Sequence, residues 1–168
     1  VVILLVFGVL TPQESYQSIH WKVIVLIAAL IPVGTVIQSS GTADWIGGLI
    51  TSVVQLTPSE WQPRVLLALI YLITMILTEV SSNAATAIIM TPIALAVSQQ
   101  MGFEPRTFIF AVAFAASASF ITPVGYQTNL MVYGPGGYKF IDYIKVGLPL
   151  AVIFWISAVF ILPLIWGI

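Results

Sequence analysis

Apolar runs separated by short polar connections dominate the chain, and their lengths suit helices that lie in a lipid bilayer. The runs are near-continuous rather than alternating, which favours buried or lipid-facing helices over half-buried strands. The pattern therefore predicts an all-α membrane protein that is transmembrane over residues 1–168. The expected segments are spans at about 1–10, 22–38, 45–57 and 147–168, a re-entrant helical hairpin over 64–100 and a broken helix over 107–138.

The first polar interruption inside apolar surroundings is TEVSSNAATA, at residues 78–87. It separates two arms, 65–80 and 84–99, which each rise only about 24 Å as a helix, against a hydrocarbon core of about 30 Å. Serine and asparagine favour helix N-termini, so Ser82 and Asn83 place the positive end of one helix beside the free carbonyls of the other. We therefore expect a hairpin tip that offers donors to an anion and oxygens to a small cation.

The second interruption follows an Ala- and Ser-rich helix that we expect over 107–121. Pro123 has no N–H to donate and clashes with the carbonyl four residues earlier, so the helix is expected to break and leave unpaired carbonyls around 119–121. Gly125 then allows a tight turn. The polar residues that follow are Gln127, Thr128 and Asn129. Discontinuous helices of this kind bind substrate and coupling ion in secondary transporters.

Each interruption also has an ordinary interpretation that the sequence leaves open. The segment SSN at 81–83 fits a water-exposed connection between two full-length helices, and TPVG at 122–125 fits a simple turn. A carboxylate inside a membrane helix costs about 3 kcal/mol on insertion scales and usually faces a polar interior. Glu79 is therefore either an ion-coupling group or a structural residue that is capped by the helix N-terminus near Ala85.

Composition narrows the class of protein further. Hydrophobic residues make up 60% of the chain, charged residues make up 7%, and the net charge is -1, which excludes the broad basic surface that binds nucleic acid. The chain has no cysteine, no H-E-x-x-H zinc motif and no paired carboxylates, so we expect neither an enzyme nor a bound cofactor. Because the chain opens on an apolar run without a basic region, we expect an internal or C-terminal piece of a longer protein.

The two motifs together resemble a known family of membrane transporters. The segments TEVSSNAATAIIMTPIALA, at 78–96, and SASFITPVGYQTNLMVYGPGGY, at 117–138, are similar to the C-terminal half of the divalent anion/sodium symporter family. This family lies within a superfamily that includes citrate and arsenite carriers. Residues 8–44 resemble the segment that opens the same half, so the likeness covers nearly the whole chain. The branch that it resembles most is that of sulfate-type permeases with TrkA-C domains.

The resemblance implies the architecture of the whole protein. Members consist of two inverted repeats, each with a re-entrant hairpin and a broken helix, so this chain would supply one half of the transporter. The implied partners are the N-terminal inverted-repeat half of the same protein, a second copy in a homodimer, and a small anionic substrate that moves by an elevator motion. The implied location is the cell (inner) membrane, which the protein crosses several times.

The resemblance also implies site residues. Ser82 and Asn83 match the first two positions of the family's Ser-Asn-Thr motif, which contacts an anion and a sodium ion, and Gly125 and Asn129 match its Gly-Thr-x-x-Asn element. The departures from these motifs are Ala84 and Tyr126, each in place of a threonine. The full expected sets are Ser82, Asn83, Gly125, Tyr126, Thr128 and Asn129 for the anion, and Ser82, Asn83, Ser119, Thr122 and Gly125 for sodium.

We therefore expect a secondary active transporter that carries a small divalent anion, sulfate or a dicarboxylate. Sodium is the expected coupling ion, and no other cofactor and no nucleic acid partner are expected. Two alternatives stay open on the sequence alone. One is a proton-coupled anion carrier in which Glu79 titrates, and the other is an anion channel with a continuous polar pore.

Overall fold

The computed structural model describes residues 7–8, 11–19 and 21–166. Every regular element in these ranges is an α-helix, so the prediction of an all-α chain is confirmed. The expected first span, 1–10, lies almost wholly outside the described residues, as do the last two residues of the final span. The helices are α1 (Pro12–Gln17), α2 (Trp21–Ser39), α3 (Thr42–Val54), α4 (Gln62–Thr78), α5 (Asn83–Gln100), α6 (Pro105–Ser117), α7 (Gln127–Tyr133) and α8 (Phe140–Trp166).

Helix α6 lies at the centre of the fold and packs against both α4 and α5. Helices α2 and α3 pack on α5, and α8 packs on α4 and α6. The buried face of α6 carries mostly small side chains, which let the backbones of neighbouring helices approach closely. Its apolar members are Phe108, Ala111, Val112, Ala115 and Ala116. Helices α4, α5 and α6 thus form the frame that holds both polar interruptions.

Helices α4 and α5 form a hairpin whose connection is only four residues long, 79–82. A proline in its first turn suits the start of α4, and Ser82 caps the start of α5. The sequence predicted arms at 65–80 and 84–99; the observed arms have 17 and 18 residues. These arms rise about 26 and 27 Å, which is still less than a hydrocarbon core of about 30 Å.

The short helix α1 lies in the connection that precedes α2, where the apolar pattern predicts no element. The Thr11 hydroxyl accepts the Glu14 N–H at 3.2 Å, and the Glu14 carboxylate accepts the Thr11 N–H at 2.8 Å, which is a capping box. The bonds from the Thr11 backbone amide and hydroxyl lower the pKa of Glu14 below its ordinary value. Local capping therefore accounts for this helix without any buried residue.

Helix α8 begins at Phe140, seven residues before the expected start at 147. The Asp142 carboxylate accepts the Lys139 N–H at 2.8 Å, so a segment that looked like a charged connection forms the first turns of the helix. With 27 residues, α8 is long and apolar enough to cross a membrane, whereas α3, α4 and α6 are apolar but shorter. A multi-pass arrangement stays a prediction.

Helix α6 ends at Ser117, four residues before the predicted end at 121. The helix is therefore interrupted before Pro123, as the sequence predicted, but it ends earlier than expected. Residues 118–126 leave the helical path earlier because their polar groups bond to the hairpin tip and to Asn129. The chain then forms α7, which ends seven residues before α8 begins.

Candidate functional site

The tip of the hairpin lies against the end of α6. Thr78 is fully buried at the end of α4, and its hydroxyl lies 2.9 Å from Asn83 Oδ1 and 2.7 Å from the Ala116 carbonyl oxygen. Ser82 Oγ accepts the Ala85 N–H at 3.3 Å and so caps α5. The positive end of α5 and the Asn83 side chain therefore lie beside the carbonyl end of α6.

Glu79 connects the hairpin tip to the segment after α6. The residue is 7% exposed, its Oε1 accepts the Ile121 N–H at 3.0 Å, and its Oε2 accepts the Thr122 N–H at 2.8 Å. The Thr122 hydroxyl donates back to the Glu79 carbonyl at 2.9 Å. The structural interpretation of this residue named the wrong partner: the carboxylate binds donors 42 and 43 positions along the chain, and the Ala85 N–H is taken by a serine.

The segment 118–126, which we call the break, is held by polar side chains of the break itself and of the first turn of α7. The Asn129 amide donates to the Ser119 carbonyl at 2.9 Å and to the Thr122 carbonyl at 3.2 Å. The Gly125 N–H donates to the Thr122 hydroxyl at 3.0 Å. The sequence predicted an unpaired carbonyl at Ser119; this is wrong, because the amide of Asn129 satisfies that carbonyl.

Gly125 marks the closest approach of the break to the hairpin tip. A Cβ atom there would overlap Ser119 Oγ and would lie 2.9 Å from the Thr78 carbonyl oxygen and 3.0 Å from Glu79 Cα. The φ angle of Gly125 is not positive, so the residue is required for space and not for a left-handed turn. The Ser119 hydroxyl also donates to the Thr78 carbonyl at 3.3 Å. The two polar interruptions are thus in direct backbone contact.

The residues that the sequence singled out occupy three environments at this junction. Glu79, Ser119 and Gly125 are buried; Asn83, Thr122 and Asn129 are half-buried; and Ser82, Tyr126 and Thr128 are exposed. The fold brings the buried and half-buried residues together through the hydrogen bonds given above. That these residues bind an anion or sodium stays a prediction.

Two threonines near the tip were missed by the sequence analysis. Thr78 bridges the hairpin and α6, and its place beside Glu79 in a polar run was the available signal. Thr86 lies in the first turns of α5 and is fully buried, and its hydroxyl has no hydrogen-bond partner among the described residues. Burying a hydroxyl without a hydrogen-bond partner costs about 1–3 kcal/mol, so Thr86 lowers the stability of the fold one turn after Asn83.

Helix α8 also contacts the break and the helix that follows it. The Tyr143 hydroxyl donates to the Asn129 carbonyl at 2.8 Å. Gly147 is buried, and a Cβ atom there would overlap the Phe120 carbonyl and lie 3.0 Å from Ile121 Cα. The break therefore contacts both the hairpin tip and α8.

Replacing Gly147 with alanine is expected to destabilise the protein, because the added methyl group meets backbone atoms that cannot rotate away. Overpacking of this kind costs about 1–3 kcal/mol. We expect a lower melting temperature for the detergent-solubilised full-length protein in thermal unfolding. Gly48→Ala is the matched control, since Gly48 also lies in a helix and a Cβ there meets nothing within 4 Å. Equal melting temperatures for the two variants would contradict the close contact.

The chemistry available at the junction is that of hydroxyl, amide and carbonyl groups. In the described part of the chain, no cluster of three or more His, Cys, Asp or Glu side chains could hold a metal ion. Glu79 is the one carboxylate that is buried among the described residues. Hydroxyl and carbonyl oxygens suit a hard cation, while amide groups and a helix N-terminus suit an anion.

Comparison with known proteins identifies relatives that are membrane transporters. The sequence profile described as citrate transporter matches residues 1–105 and 85–168. An uncharacterized transporter of Synechocystis sp. is 45% identical over 168 residues, which is 100% of this chain and 27% of the relative. Sodium/sulfate cotransporter 1 of Chlamydomonas reinhardtii is 32% identical over 160 residues, 95% of this chain and 18% of the relative.

A third relative is the sodium-dependent high-affinity dicarboxylate transporter 3 of Caenorhabditis elegans, which is 33% identical over 137 residues, 82% of this chain and 23% of the relative. The chain spans 27% or less of the length of these three relatives. The match nevertheless extends from the first residue to the last. The chain therefore belongs to the citrate transporter family, within the divalent anion/sodium symporters.

Proposed function

We propose that this chain is one half of a secondary active transporter that moves a small divalent anion, sulfate or a dicarboxylate, together with sodium. The observation that carries the proposal is the junction at Gly125, where two non-helical polar segments meet between apolar helices. Irregular backbone at membrane depth is tolerated only where protein or a water-filled cavity satisfies it. A shared pocket for substrate and ion accounts for both interruptions at once.

The relatives support the choice of substrate and coupling ion. Two of them are named for sodium with sulfate and for sodium with dicarboxylate, and both substrates are small anions that carry two charges. The helix N-terminus at Ser82 and the amide of Asn83 offer donors to such an anion, and the hydroxyl and carbonyl groups at the junction offer oxygens to sodium. The proposed site sets are those expected from the sequence, with Thr78 added as a second hydroxyl beside Asn83.

Two observations support the proposed architecture. One is the hairpin, and the other is that the chain spans only part of the length of its relatives. The arms of α4 and α5 are short of about 30 Å, which suits a re-entrant hairpin that enters and leaves on one side. An inverted N-terminal repeat supplies the other half of the site, and the whole protein is a multi-pass homodimer of the cell (inner) membrane. Because the tip and the break share backbone contacts, they move together in the proposed elevator motion.

The proton-coupled alternative depends on Glu79 as a group that gains and loses a proton. In the fold, each carboxylate oxygen of Glu79 already accepts a backbone N–H, and such bonds to a charged acceptor are the stronger kind. Both oxygens are therefore engaged in the contact between the two segments, which supports a structural role for Glu79 over a role as a proton carrier. Sodium coupling is therefore preferred over proton coupling in the proposal.

Uptake into proteoliposomes that contain the full-length protein tests the function. We expect labelled sulfate or succinate to accumulate above the external concentration when an inward sodium gradient is imposed, because symport makes the sodium gradient drive the anion inward. Replacing sodium with potassium should remove the accumulation.

Protein-free vesicles with the same gradients are the control. Accumulation that follows a pH gradient and ignores sodium would favour the proton-coupled carrier. Flux that never exceeds equilibrium would favour a channel. If neither anion is taken up under any of these gradients, the proposal is wrong.

A further inference from the structure

We infer that Glu79 is a positioning residue whose carboxylate fixes the hairpin tip against the break by binding the N–H groups of Ile121 and Thr122. The inference rests on the proposed transport function for its kinetic test only. Its structural content concerns two hydrogen bonds that can be measured independently of transport. It assigns to the one buried carboxylate among the described residues a role other than carrying the coupling ion.

The geometry gives Glu79 a bidentate hold on two consecutive backbone donors. The distances are 3.0 Å to the Ile121 nitrogen and 2.8 Å to the Thr122 nitrogen, and each oxygen of the carboxylate takes one of them. The main chain of Glu79 is held in turn, because the Thr122 hydroxyl donates to its carbonyl oxygen at 2.9 Å. These three bonds join residues that are 42 or 43 positions apart. They fix both the separation and the register of the two segments.

Backbone N–H groups bind the buried carboxyl group of Glu79. In the described residues the one ion pair is Arg106 with Glu104, at 3.4 Å on the surface. The nearest compensation for the buried carboxylate is therefore the pair of backbone N–H groups, which bind a carboxylate more strongly than a neutral oxygen. A neutral side chain would leave one of these donors without a strong acceptor. The position consequently requires a carboxylate with the reach of glutamate.

The relative position of the two proposed binding segments depends on the hydrogen bonds of the Glu79 carboxylate. Asn83 lies four residues after Glu79 on the hairpin, Gly125 lies shortly after the two bound N–H groups on the break, and Asn129 lies in α7 just beyond it. A shift of one segment against the other changes every site that takes ligands from both. A positioning role therefore predicts weaker apparent affinity for anion and for sodium together, whereas a purely structural role lowers only the amount of active protein.

Glu79→Gln in the full-length protein is the main test, because glutamine keeps the size of the side chain but turns an NH2 group toward one of the two donors. We expect the KM for the anion and the half-saturating sodium concentration each to rise by roughly tenfold or more. The shape of the pH profile of uptake should be unchanged. Glu79→Asp keeps the charge with a shorter reach and should recover part of both affinities.

Hydrogen exchange supplies the second readout, which needs no transport. In wild-type protein reconstituted in nanodiscs, peptides that cover residues 118–126 should show slow exchange at Ile121 and Thr122, and this protection should be lost in Glu79→Gln. Glu104→Gln is the matched control, because Glu104 is an exposed carboxylate whose partner is a surface arginine. Its affinities and exchange should equal those of the wild type.

The outcomes separate the inference from the proposed function. Unchanged protection of Ile121 and Thr122 in Glu79→Gln overturns the inference, whether or not the wild type transports. A fall in maximal rate with both affinities unchanged also overturns it, as does a variant whose uptake loses its pH dependence. If the wild type takes up no anion but the protection is lost in Glu79→Gln, the proposed function fails and the positioning role stands.

Discussion

Replacing Gly125 with alanine is expected to abolish sodium-driven uptake. The added methyl group would overlap Ser119 Oγ and press on the Thr78 carbonyl and Glu79 Cα, which lie 2.9 and 3.0 Å from its position. The serine side chain can rotate, but only by giving up its bond to the Thr78 carbonyl, and the backbone atoms cannot yield without separating the two segments. Overpacking against backbone costs about 3 kcal/mol, at the upper end of the usual range.

The measurement is uptake of labelled anion by the full-length variant at a matched amount of folded protein, with thermal unfolding alongside it. Gly134→Ala is the control, because Gly134 has an ordinary right-handed helical conformation and a Cβ there meets nothing within 4 Å. We expect wild-type uptake for this control. Wild-type uptake by Gly125→Ala would show that the hairpin tip and the break do not need this contact in the transport cycle.

Replacing Asn83 with alanine is expected to lower the ratio of maximal rate to KM on the order of a hundredfold, since one side chain serves both proposed ligands. Asn83 Oδ1 lies 2.9 Å from the Thr78 hydroxyl, so the side chain is oriented at the junction and not free in solvent. Its amide group can then face an anion while the oxygen atoms around it face a cation. Loss of this side chain removes a donor and leaves the Thr78 hydroxyl with the Ala116 carbonyl alone.

Uptake as a function of both anion and sodium concentration checks this prediction. The expected signature is a loss of sodium dependence together with a loss of anion affinity at normal expression. Gln99→Ala, at an exposed position near the other end of the same helix, should behave as the wild type. If Asn83→Ala retains sodium-driven uptake, the tip does not bind the ions and the candidate site lies elsewhere.

These two variants and Glu79→Gln probe different properties of one junction. Gly125 provides the space in which the two segments meet; in the proposals, Glu79 fixes their relative position and Asn83 presents polar atoms to a ligand. Variants of the first two residues should therefore disturb the contact between the segments, whereas Asn83→Ala should leave hydrogen exchange of the break unchanged. Measuring hydrogen exchange and uptake on the same variants distinguishes loss of the contact between the two segments from loss of a side chain that binds the ligand.

The sequence by itself predicted the helical class and the position of the hairpin. The connection observed at 79–82 lies within the motif TEVSSNAATA, because the Ser82 cap acts within a few residues of its own position. The motifs also predicted the family, which the citrate transporter profile and the relatives confirm. Ser82, Asn83 and Gly125 stand out in the sequence because they are hydroxyl, amide and glycine positions in apolar surroundings, and their role in binding stays a prediction.

The tertiary structure alone decided how the two interruptions fit together. Helix α6 ends at Ser117 rather than at the residues before Pro123, because groups after it bond to Thr78 and Glu79 some 40 positions away. The partners of Glu79 and the steric requirement at Gly125 likewise depend on contacts across the fold. Helix caps and hydrophobic periodicity depend on residues that are close in the sequence, so the sequence predicts them. The partners of a buried carboxylate depend instead on which backbone donors the packing of distant helices places next to it.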